Sequence, residues 1–146
     1  MSRPVPFETT LEVRDACLCL HVQRAARALA RRFDEALRPA GLTNGQFSLL
    51  MALNRPEPAR MLPLCKLLGL DRTTLIAALK PLERDGLVAS EGDPKDRRSR
   101  LLRLTEAGQA RLAAALPIWR ATHAVVEAGL GGVTAEALRA GLMALG

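Results

Sequence analysis

The sequence predicts a mainly α-helical domain that carries one small β-hairpin. Hydrophobic residues make up 49% of the chain and aromatic residues only 3%, which favours a core of aliphatic side chains packed between helices. Apolar residues recur at helical spacing over most of the chain. The exception is residues 87–104, where two short runs with strand character flank the turn residues Gly92, Asp93 and Pro94 and predict the hairpin.

The composition limits the size, location and partners of the domain. A length of 146 residues predicts a single domain over residues 1–146. The net charge of +6 and the pI of about 10.2 favour a polyanionic partner, with nucleic acid ahead of an acidic membrane surface. The sequence has neither a long apolar run nor a signal peptide, so we expect no membrane contact and a cytoplasmic location.

A long first helix is predicted from Val13 to about Arg38. An apolar stripe with spacings of three and four residues runs along it, and Pro39 and Gly41 end it. The stripe consists of Cys19, Val22, Ala26, Leu29, Phe33 and Leu37. Because the helix is longer than most globular helices and has one apolar stripe, it needs another long surface to cover that stripe.

Three further helices are predicted before the hairpin. Thr43 and Gln46 form a capping-box pair that opens the first, and the Pro-rich segment 55–60 predicts a turn after it. A short helix over residues 63–68 and a longer one over residues 72–85 follow, separated by a tight corner.

The helix over residues 72–85 has two different faces. Asp71 is placed to cap it, and Leu75, Leu79 and Leu82 point inward at spacings of four and three. The opposite ridge carries Thr73, Ala77, Lys80 and Arg84. Two helices joined by a glycine-containing turn, the second with an outward polar ridge, are typical of a helix-turn-helix.

The hairpin and two C-terminal helices complete the predicted elements. The strands are expected at residues 87–91 and 99–104. Thr105 caps a long helix that is expected to bend at Pro117, and a last helix starts at Thr134 and runs to the C-terminus.

The order helix-turn-helix, hairpin and long helix is that of a winged helix-turn-helix. Three segments resemble the multiple-antibiotic-resistance regulator (MarR) family of bacterial transcription factors: GLTNGQFSLLMAL, LDRTTLIAALKPLERDGLV and DPKDRRSRLLRLTEAG. The most specific signal is Asp96-x-Arg98 followed by the LTxxG motif at residues 104–108, and the matching segments cover residues 14–119. The resemblance implies an obligate homodimer.

In that dimer, the resemblance assigns different tasks to different parts of the chain. Residues 11–40 and 105–146 are expected to be dimerisation helices. Residues 43–104 are expected to form the winged helix-turn-helix lobe that binds double-stranded DNA.

The resemblance also implies which side chains contact DNA. Arg98 matches the arginine at the tip of the hairpin, or wing, that enters the minor groove, and Asp96 is expected to orient it. Phosphate contacts are expected from Lys95, Arg97 and Arg100. Major-groove contacts are expected from Arg72, Thr73, Thr74, Ala77 and Lys80 on the recognition helix, residues 72–85.

One part of the recognition helix departs from the family. Ile76, Ala77 and Ala78 stand where many relatives carry polar or arginine side chains. An alanine contacts a thymine methyl group but neither donates nor accepts a hydrogen bond. An alternative hypothesis therefore stays open, in which the chain is a dimeric protein-interaction module of winged-helix fold with weakened DNA binding. The two hypotheses differ in salt dependence, because only DNA binding weakens steeply as salt rises.

Two cysteines in the first helix allow a redox hypothesis. Cys19 matches the reactive cysteine of relatives that sense organic hydroperoxides, but the apolar stripe around it predicts burial and low reactivity. Cys17 faces His21 and Arg24, where a cation would stabilise a thiolate. The alternative is that both are structural thiols. Cys17 and His21 have the i, i+4 spacing of metal ligands, but two ligands are too few, so we predict no metal and no other cofactor.

The resemblance further implies a small aromatic or phenolic effector, bound between the dimerisation helices and the winged lobe. His21, Arg24 and Trp119 are candidates to line its site. The alternative is that His21 is an ordinary polar-face histidine and Trp119 a core or interface anchor.

From these residues we expect a sequence-specific, double-stranded DNA-binding transcriptional regulator that acts in a stress response. We expect it to be a repressor that is released by a small-molecule ligand or by cysteine oxidation. No enzymatic activity is expected, because the two histidines lie far apart and the sequence has neither a nucleophile motif nor a Gly-rich phosphate loop.

Overall fold

The computed structural model describes residues 3–146, which form α-helices and one small antiparallel sheet. The helices are α1 (Phe7–Ala16), α2 (Leu18–Leu37), α3 (Asn44–Leu53), α4 (Met61–Leu68), α5 (Arg72–Arg84), α6 (Glu106–Ala128) and α7 (Ala135–Ala144), with a 3-10 turn at Arg38–Ala40. The strands are β1 (Ala59–Arg60), β2 (Val88–Asp93) and β3 (Asp96–Leu104). The predicted fold class is confirmed.

Polar side chains fix where several helices begin. The Thr43 hydroxyl accepts a hydrogen bond from the backbone N–H of Gln46 at 3.1 Å, and the Gln46 side chain accepts from the backbone N–H of Thr43 at 3.0 Å. Asp71, Thr105 and Thr134 cap α5, α6 and α7 in the same way, at 2.7, 3.0 and 3.0 Å. Each such cap stabilises its helix by about 1 kcal/mol, and these helix starts agree with the predicted ones.

The prediction of a single long helix from Val13 to about Arg38 is wrong. The chain forms α1 and α2, which meet at Cys17, where the backbone is extended with ψ of 110°. The Cys17 sulfur accepts from the backbone N–H of Leu20 at 3.4 Å and so caps α2. Apolar periodicity predicts helical faces, but it does not reveal one residue that leaves the helical conformation between them.

The hydrophobic core lies in the middle of the chain. All of its buried apolar residues fall between Leu37 and Ala115, and Leu50, Leu75 and Ala115 are completely inaccessible to solvent. A fully buried leucine contributes about 2 kcal/mol, so this leucine-rich cluster holds α3, α4, α5, the sheet and the first half of α6 together. Among residues 3–146, none of the helices combines the length and apolar character that spanning a membrane requires.

The helices outside this core bury little. None of the residues of α1 or α7 is buried, and Leu37 is the single buried residue of α2. As predicted, one long helix follows Thr105: α6 contains Pro117 and is 23 residues long. Its second half leaves Val125 56% exposed, as α7 leaves Leu142 46% exposed.

The sheet has the strand order β1-β3-β2. The predicted hairpin is confirmed, although β2 and β3 reach further toward the turn than expected. The end of the segment 55–60, predicted to be a turn, forms β1, in which Ala59 pairs with Leu102 and Arg60 with Leu101. A strand this short has no alternation that a sequence pattern could reveal.

The LTxxG motif joins the base of the wing to α6. The Thr105 hydroxyl donates to the backbone carbonyl of Gly86 at 2.6 Å. A Cβ atom on Gly108 would lie 2.2 Å from the carbonyl oxygen of Leu87, so only glycine permits this approach of the first turn of α6 to the wing.

Candidate nucleic-acid interface

The recognition helix α5 presents its polar face to solvent. Leu75, Leu79 and Leu82 anchor its other face in the core. The side chains predicted to enter the major groove are all exposed: Arg72, Thr73, Thr74, Ala77 and Lys80. At the N-terminus of the helix, the Asp71 carboxylate accepts from the backbone N–H of Thr74, and this hydrogen bond lowers the pKa of Asp71 below its ordinary value. The helix end is therefore rigidly capped while its N-terminal side chains stay accessible.

A groove separates α5 from the wing. Its volume is about 230 Å³, and its walls include Arg72, Ile76 and Lys80 from α5 and Arg100 from β3. The fold thus brings together three cations, from two elements that the sequence predicted separately, and one carboxylate, that of Glu83. Ile76, which belongs to the segment that departs from the family, is 41% exposed and forms part of the groove wall.

The wing contains a bulge in its second strand. Gly92 pairs with Arg100, but the next residue, Asp93, pairs with Asp96. Residues 97–99 therefore have no counterpart on β2, so Arg97 and Arg98 stand on a bulge rather than in the regular ladder. The Asp96 carboxylate accepts from the backbone N–H of Arg98 at 3.0 Å. Asp96 therefore positions the backbone of Arg98.

Charged side chains at the base and at the tip of the wing differ in their partners. Near the base, Arg103 pairs with Glu91 at 2.6 Å. Arg100, which lies opposite Gly92 next to the bulge, donates to the Ser90 hydroxyl at 2.6 Å. Among residues 3–146, no carboxylate forms an ion pair with the exposed side chains of Lys95, Arg97 or Arg98. The tip therefore offers three cations to an external anion.

The contact between Asp93 and Arg60 beside the wing was not predicted from the sequence. The sequence indicates a turn residue at Asp93, yet this residue is only 3% exposed, and its carboxylate forms an ion pair with the Arg60 guanidinium. Its other oxygen accepts from the backbone N–H of Lys95 at 2.9 Å. That hydrogen bond, together with the charge of Arg60, outweighs burial and holds the pKa of Asp93 below its usual value. The only signal in the sequence was the Asp-Pro pair, which is common in exposed turns.

An aromatic cavity of about 290 Å³ lies between α2, α3 and α6. Trp119 lines it and stacks with Phe47 and with His123, with ring centroids 6.0 and 4.6 Å apart. The other residues around it are Phe33, Leu37, Asn44 and Ser48. Of the three residues predicted to line an effector site, Trp119 is at this cavity. His21 and Arg24 are exposed on α2 outside it.

His123 also lines this cavity, although the sequence did not predict it there. Its Nδ1 atom lies 3.5 Å from the Glu127 carboxylate, to which Arg139 of α7 donates at 2.8 Å. The Arg139 hydrogen bond, and after it the nearby His123, lower the pKa of Glu127. The cavity is therefore linked through one carboxylate to the last helix. The i, i+4 spacing of His123 and Glu127 was the signal available in the sequence.

The two N-terminal cysteines have different surroundings from those predicted. Cys19 is exposed rather than buried in this single chain, and its sulfur accepts from the Gln23 amide at 3.1 Å. Cys17 is half-buried at the junction of α1 and α2, and its carbonyl oxygen lies 2.7 Å from His21 Nδ1. Among residues 3–146, no group of three or more potential ligands is arranged to hold a metal ion.

Comparison with known proteins gives the family of the chain. Residues 42–108 match the model of a winged helix DNA-binding domain. The chain is 39% identical to the transcriptional regulator MosR of M. tuberculosis, solved in complex with DNA, with a TM-score of 0.81 over 88% of this chain and 92% of that one. It is 35% identical over 95 residues to the transcriptional activatory protein BadR of Rhodopseudomonas palustris.

The BadR match covers 63% of this chain and 54% of BadR, so the chain spans about half the length of that relative. The fold is also that of E. coli MarR, solved as a mutant in complex with operator DNA. The identity is 23%, and the TM-score is 0.76 over 91% of this chain and 94% of that one. The MosR match, the shared fold and the motifs at residues 96–108 agree with one another. The chain belongs to the MarR family of winged helix-turn-helix transcriptional regulators.

Proposed function

We propose that this chain acts as a homodimeric transcriptional regulator that binds double-stranded operator DNA. The observation that carries the proposal is the groove in which basic side chains of α5 and of the wing, Arg72, Lys80 and Arg100, face the same space. A convex helix beside a cationic ribbon fits the shape of a DNA major groove and the phosphates that flank it. The resemblance to MosR, which was solved with DNA, supports the same function.

In this proposal α5 lies in the major groove. Arg72, Thr73 and Thr74 are near its N-terminus, where the helix dipole favours a phosphate and the side chains reach base edges. Ala77 contacts a thymine methyl group, and Lys80 contacts the backbone. Because few of these groups form hydrogen bonds with bases, the helix contributes orientation and modest sequence preference.

The wing supplies a second set of contacts in the proposal. Arg98, on the bulge, enters the minor groove, where an arginine responds to groove width and negative potential rather than to base identity. Asp96 holds the backbone of Arg98 in place, while Lys95, Arg97 and Arg100 contact phosphates. Within residues 3–146, Lys95, Arg97 and Arg98 form no internal ion pair. This supports the proposed contacts, because these cations break no ion pair when they bind DNA.

Dimerisation follows from the apolar side chains that α1, α2 and α7 leave exposed. Examples are Phe7 at 67%, Leu18 at 67% and Met143 at 78%. Monomeric proteins rarely expose so many large apolar side chains, so a second copy covers them in the proposal. The dimer places two recognition helices on successive half-sites.

Two routes could release the dimer from DNA. In the first, a small aromatic or phenolic acid fills the cavity at Trp119, where Asn44 and His123 offer polar groups beside the aromatic rings. Because Phe47 belongs to the lobe and Trp119 to α6, a ligand there would change how these elements pack. In the second, oxidation of Cys17 or Cys19 alters the junction of α1 and α2.

The proposed regulator acts where its DNA is, in the cytoplasm, and it has no catalytic role. We expect repression, because a dimer bound over a promoter excludes the polymerase. A reporter fused to the upstream DNA tests the direction of regulation: repression predicts higher reporter output without the protein, and lower output would instead identify an activator.

Binding to the DNA upstream of the coding region tests the function. Fluorescence anisotropy of a labelled duplex from this region, titrated with the dimer at several salt concentrations, should give an affinity that falls steeply with salt. A scrambled duplex of equal length is the DNA control, and the double variant Arg97→Ala/Arg98→Ala is the protein control. An affinity that does not depend on salt would contradict DNA binding and favour the protein-interaction module.

A further inference from the structure

We infer that Arg60 and Asp93 form a clamp that sets the direction of the wing, so that both are positioning residues for DNA binding. The inference rests on the proposed function and adds to it two residues that lie outside the recognition helix and the tip of the wing. It starts from the fact that Asp93 is the one charged residue that the fold buries among residues 3–146.

Burial of a carboxylate is costly unless its oxygens are satisfied, and both oxygens of Asp93 are. One forms the ion pair with Arg60, and the other accepts from the backbone N–H of Lys95 at 2.9 Å. The Asp93 side chain is 0% exposed, while that of Arg60 is 46% exposed. The clamp is therefore anchored on the Asp93 side and open to solvent on the Arg60 side.

Arg60 connects elements that are distant in sequence. Its backbone belongs to β1, pairs with Leu101 of β3 and forms the N-cap of α4, the first helix of the helix-turn-helix. Its side chain reaches Asp93, 33 residues further along the chain. One arginine thus ties the start of the helix-turn-helix to the end of β2.

The bulge begins where the clamp holds. Asp93 pairs with Asp96, and residues 97–99 then leave the regular ladder. The hydrogen bond from Lys95 to Asp93 closes the turn, in which Pro94 has a restricted φ angle. The clamp therefore fixes the point from which Arg97 and Arg98 project, and without it the turn beyond the Gly92–Arg100 pair loses its side-chain tie to β1.

Because Asp93 is negatively charged, its effect on DNA affinity through the position of the wing can be separated from its effect through net charge. Replacing a carboxylate near the DNA by a neutral group raises the net charge, which alone would strengthen binding to phosphates. Loss of positioning would weaken binding. Asp93→Asn keeps the size of the side chain and an acceptor for the Lys95 N–H, so electrostatics and positioning predict opposite signs for the same variant.

The experiment measures binding of wild type and Asp93→Asn to the upstream duplex, well below the unfolding temperature of each variant. We expect Asp93→Asn to weaken binding about tenfold, because Arg97 and Arg98 lose the position from which they contact DNA. In the Arg97→Ala/Arg98→Ala background it should weaken binding no further, because the clamp acts through those arginines. Equal or tighter binding by Asp93→Asn, or an equal loss in both backgrounds, would overturn the inference.

Substitutions at Glu91 and Arg60 separate the clamp from a general effect of charge. Glu91→Gln removes a carboxylate from an exposed ion pair on the same hairpin and should not weaken binding. Arg60→Lys keeps the charge and should retain more affinity than Arg60→Met. Equal affinities of these two Arg60 variants would argue against the clamp.

The clamp also affects how easily a protease cuts the wing, which can be measured without DNA. In limited digestion by trypsin, Asp93→Asn should be cut faster than wild type after Lys95, Arg97 or Arg98, with unchanged cutting elsewhere in the chain. Unchanged cutting at the wing would refute the clamp. Absence of salt-dependent DNA binding by the wild type, with faster cutting of Asp93→Asn, would refute the proposed function and leave the clamp supported.

Discussion

The winged lobe and the outer helices bury their apolar side chains to very different degrees. In the lobe, Leu50 and Leu75 are fully inaccessible within one chain. On the outer helices, Leu18 is 67% exposed and Leu142 46% exposed. The comparison indicates that the lobe has a complete core of its own, whereas the outer helices leave apolar side chains exposed for the second chain of the proposed dimer. Stability of the lobe and assembly of the dimer should therefore respond to different substitutions.

The largest expected effect is on the lobe core. Leu75→Ala removes a side chain with 0% exposure and leaves a cavity, so we expect a loss of about 3 kcal/mol in the free energy of unfolding. Urea denaturation followed by circular dichroism measures it. The control is Leu62→Ala, at a leucine of the same lobe that is 67% exposed, which should change stability by no more than about 0.5 kcal/mol. Similar losses for both would contradict the distinction between core and surface.

The next effect concerns assembly. Leu138 and Leu142 lie one turn apart on α7, and the double variant Leu138→Asp/Leu142→Asp places two charges on its apolar face. We expect the dimer dissociation constant to rise at least about a hundredfold, by sedimentation at several concentrations, with the lobe still folded. Leu62→Asp is the matched control and should remain dimeric. A double variant that stays dimeric would show that α7 lies outside the interface.

A smaller effect separates the tip of the wing from its base. Arg98→Ala removes an unpaired cation from the bulge, and we expect about a tenfold loss of DNA affinity with a shallower salt dependence. Arg103→Ala should cost about twofold or less, because Arg103 already pairs with Glu91 near the base. Anisotropy titrations of both variants give the ratio, and equal losses would contradict the assignment of DNA contact to the tip.

The smallest expected effect is on how the stability of the fold depends on pH. Because the folded pKa of Asp93 is lower than the unfolded value of about 3.9, its ionised form stabilises the fold. This contribution is complete above about pH 5 and is lost as the pH falls through the folded pKa. Thermal unfolding of wild type and Asp93→Asn should therefore differ most near neutral pH and converge in acid. A gap that widens toward low pH would reverse the sign of this linkage.

Local chemistry accounts for the parts of the fold that could be predicted. The caps at Thr43, Asp71 and Thr105 depend on residues at most three positions away, so the sequence reveals them directly. The hairpin follows from its turn residues. The break at Cys17 was not predicted, because it depends on one backbone angle rather than on the spacing of apolar residues.

Features of the site that depend on contacts between distant residues could not be predicted from a single sequence. The bulge at residues 97–99 is a property of strand register, which depends on how two strands pack rather than on either alone. The burial of Asp93 depends on Arg60, and the stacking of His123 on Trp119 depends on where α6 lies. The DNA contacts of the recognition helix and wing stay predictions, as do the effector and redox roles of Trp119 and of the two N-terminal cysteines.

The attachment of the wing to α6 makes the hairpin a lever. The contacts of Thr105 with Gly86 and of Gly108 with Leu87 hold the base of the hairpin tightly against the first turn of α6. The long arm is β3, with 9 residues, which corresponds to a length of about 30 Å at roughly 3.3 Å per residue. A rotation of α6 by about 5° would therefore carry the tip of the wing through roughly 2.5 Å, close to the length of a hydrogen bond. In the proposed complex, such a rotation would also have to shift Leu102 and β1, which hold the middle of β3 against the lobe, and it would move Arg98 relative to a DNA groove.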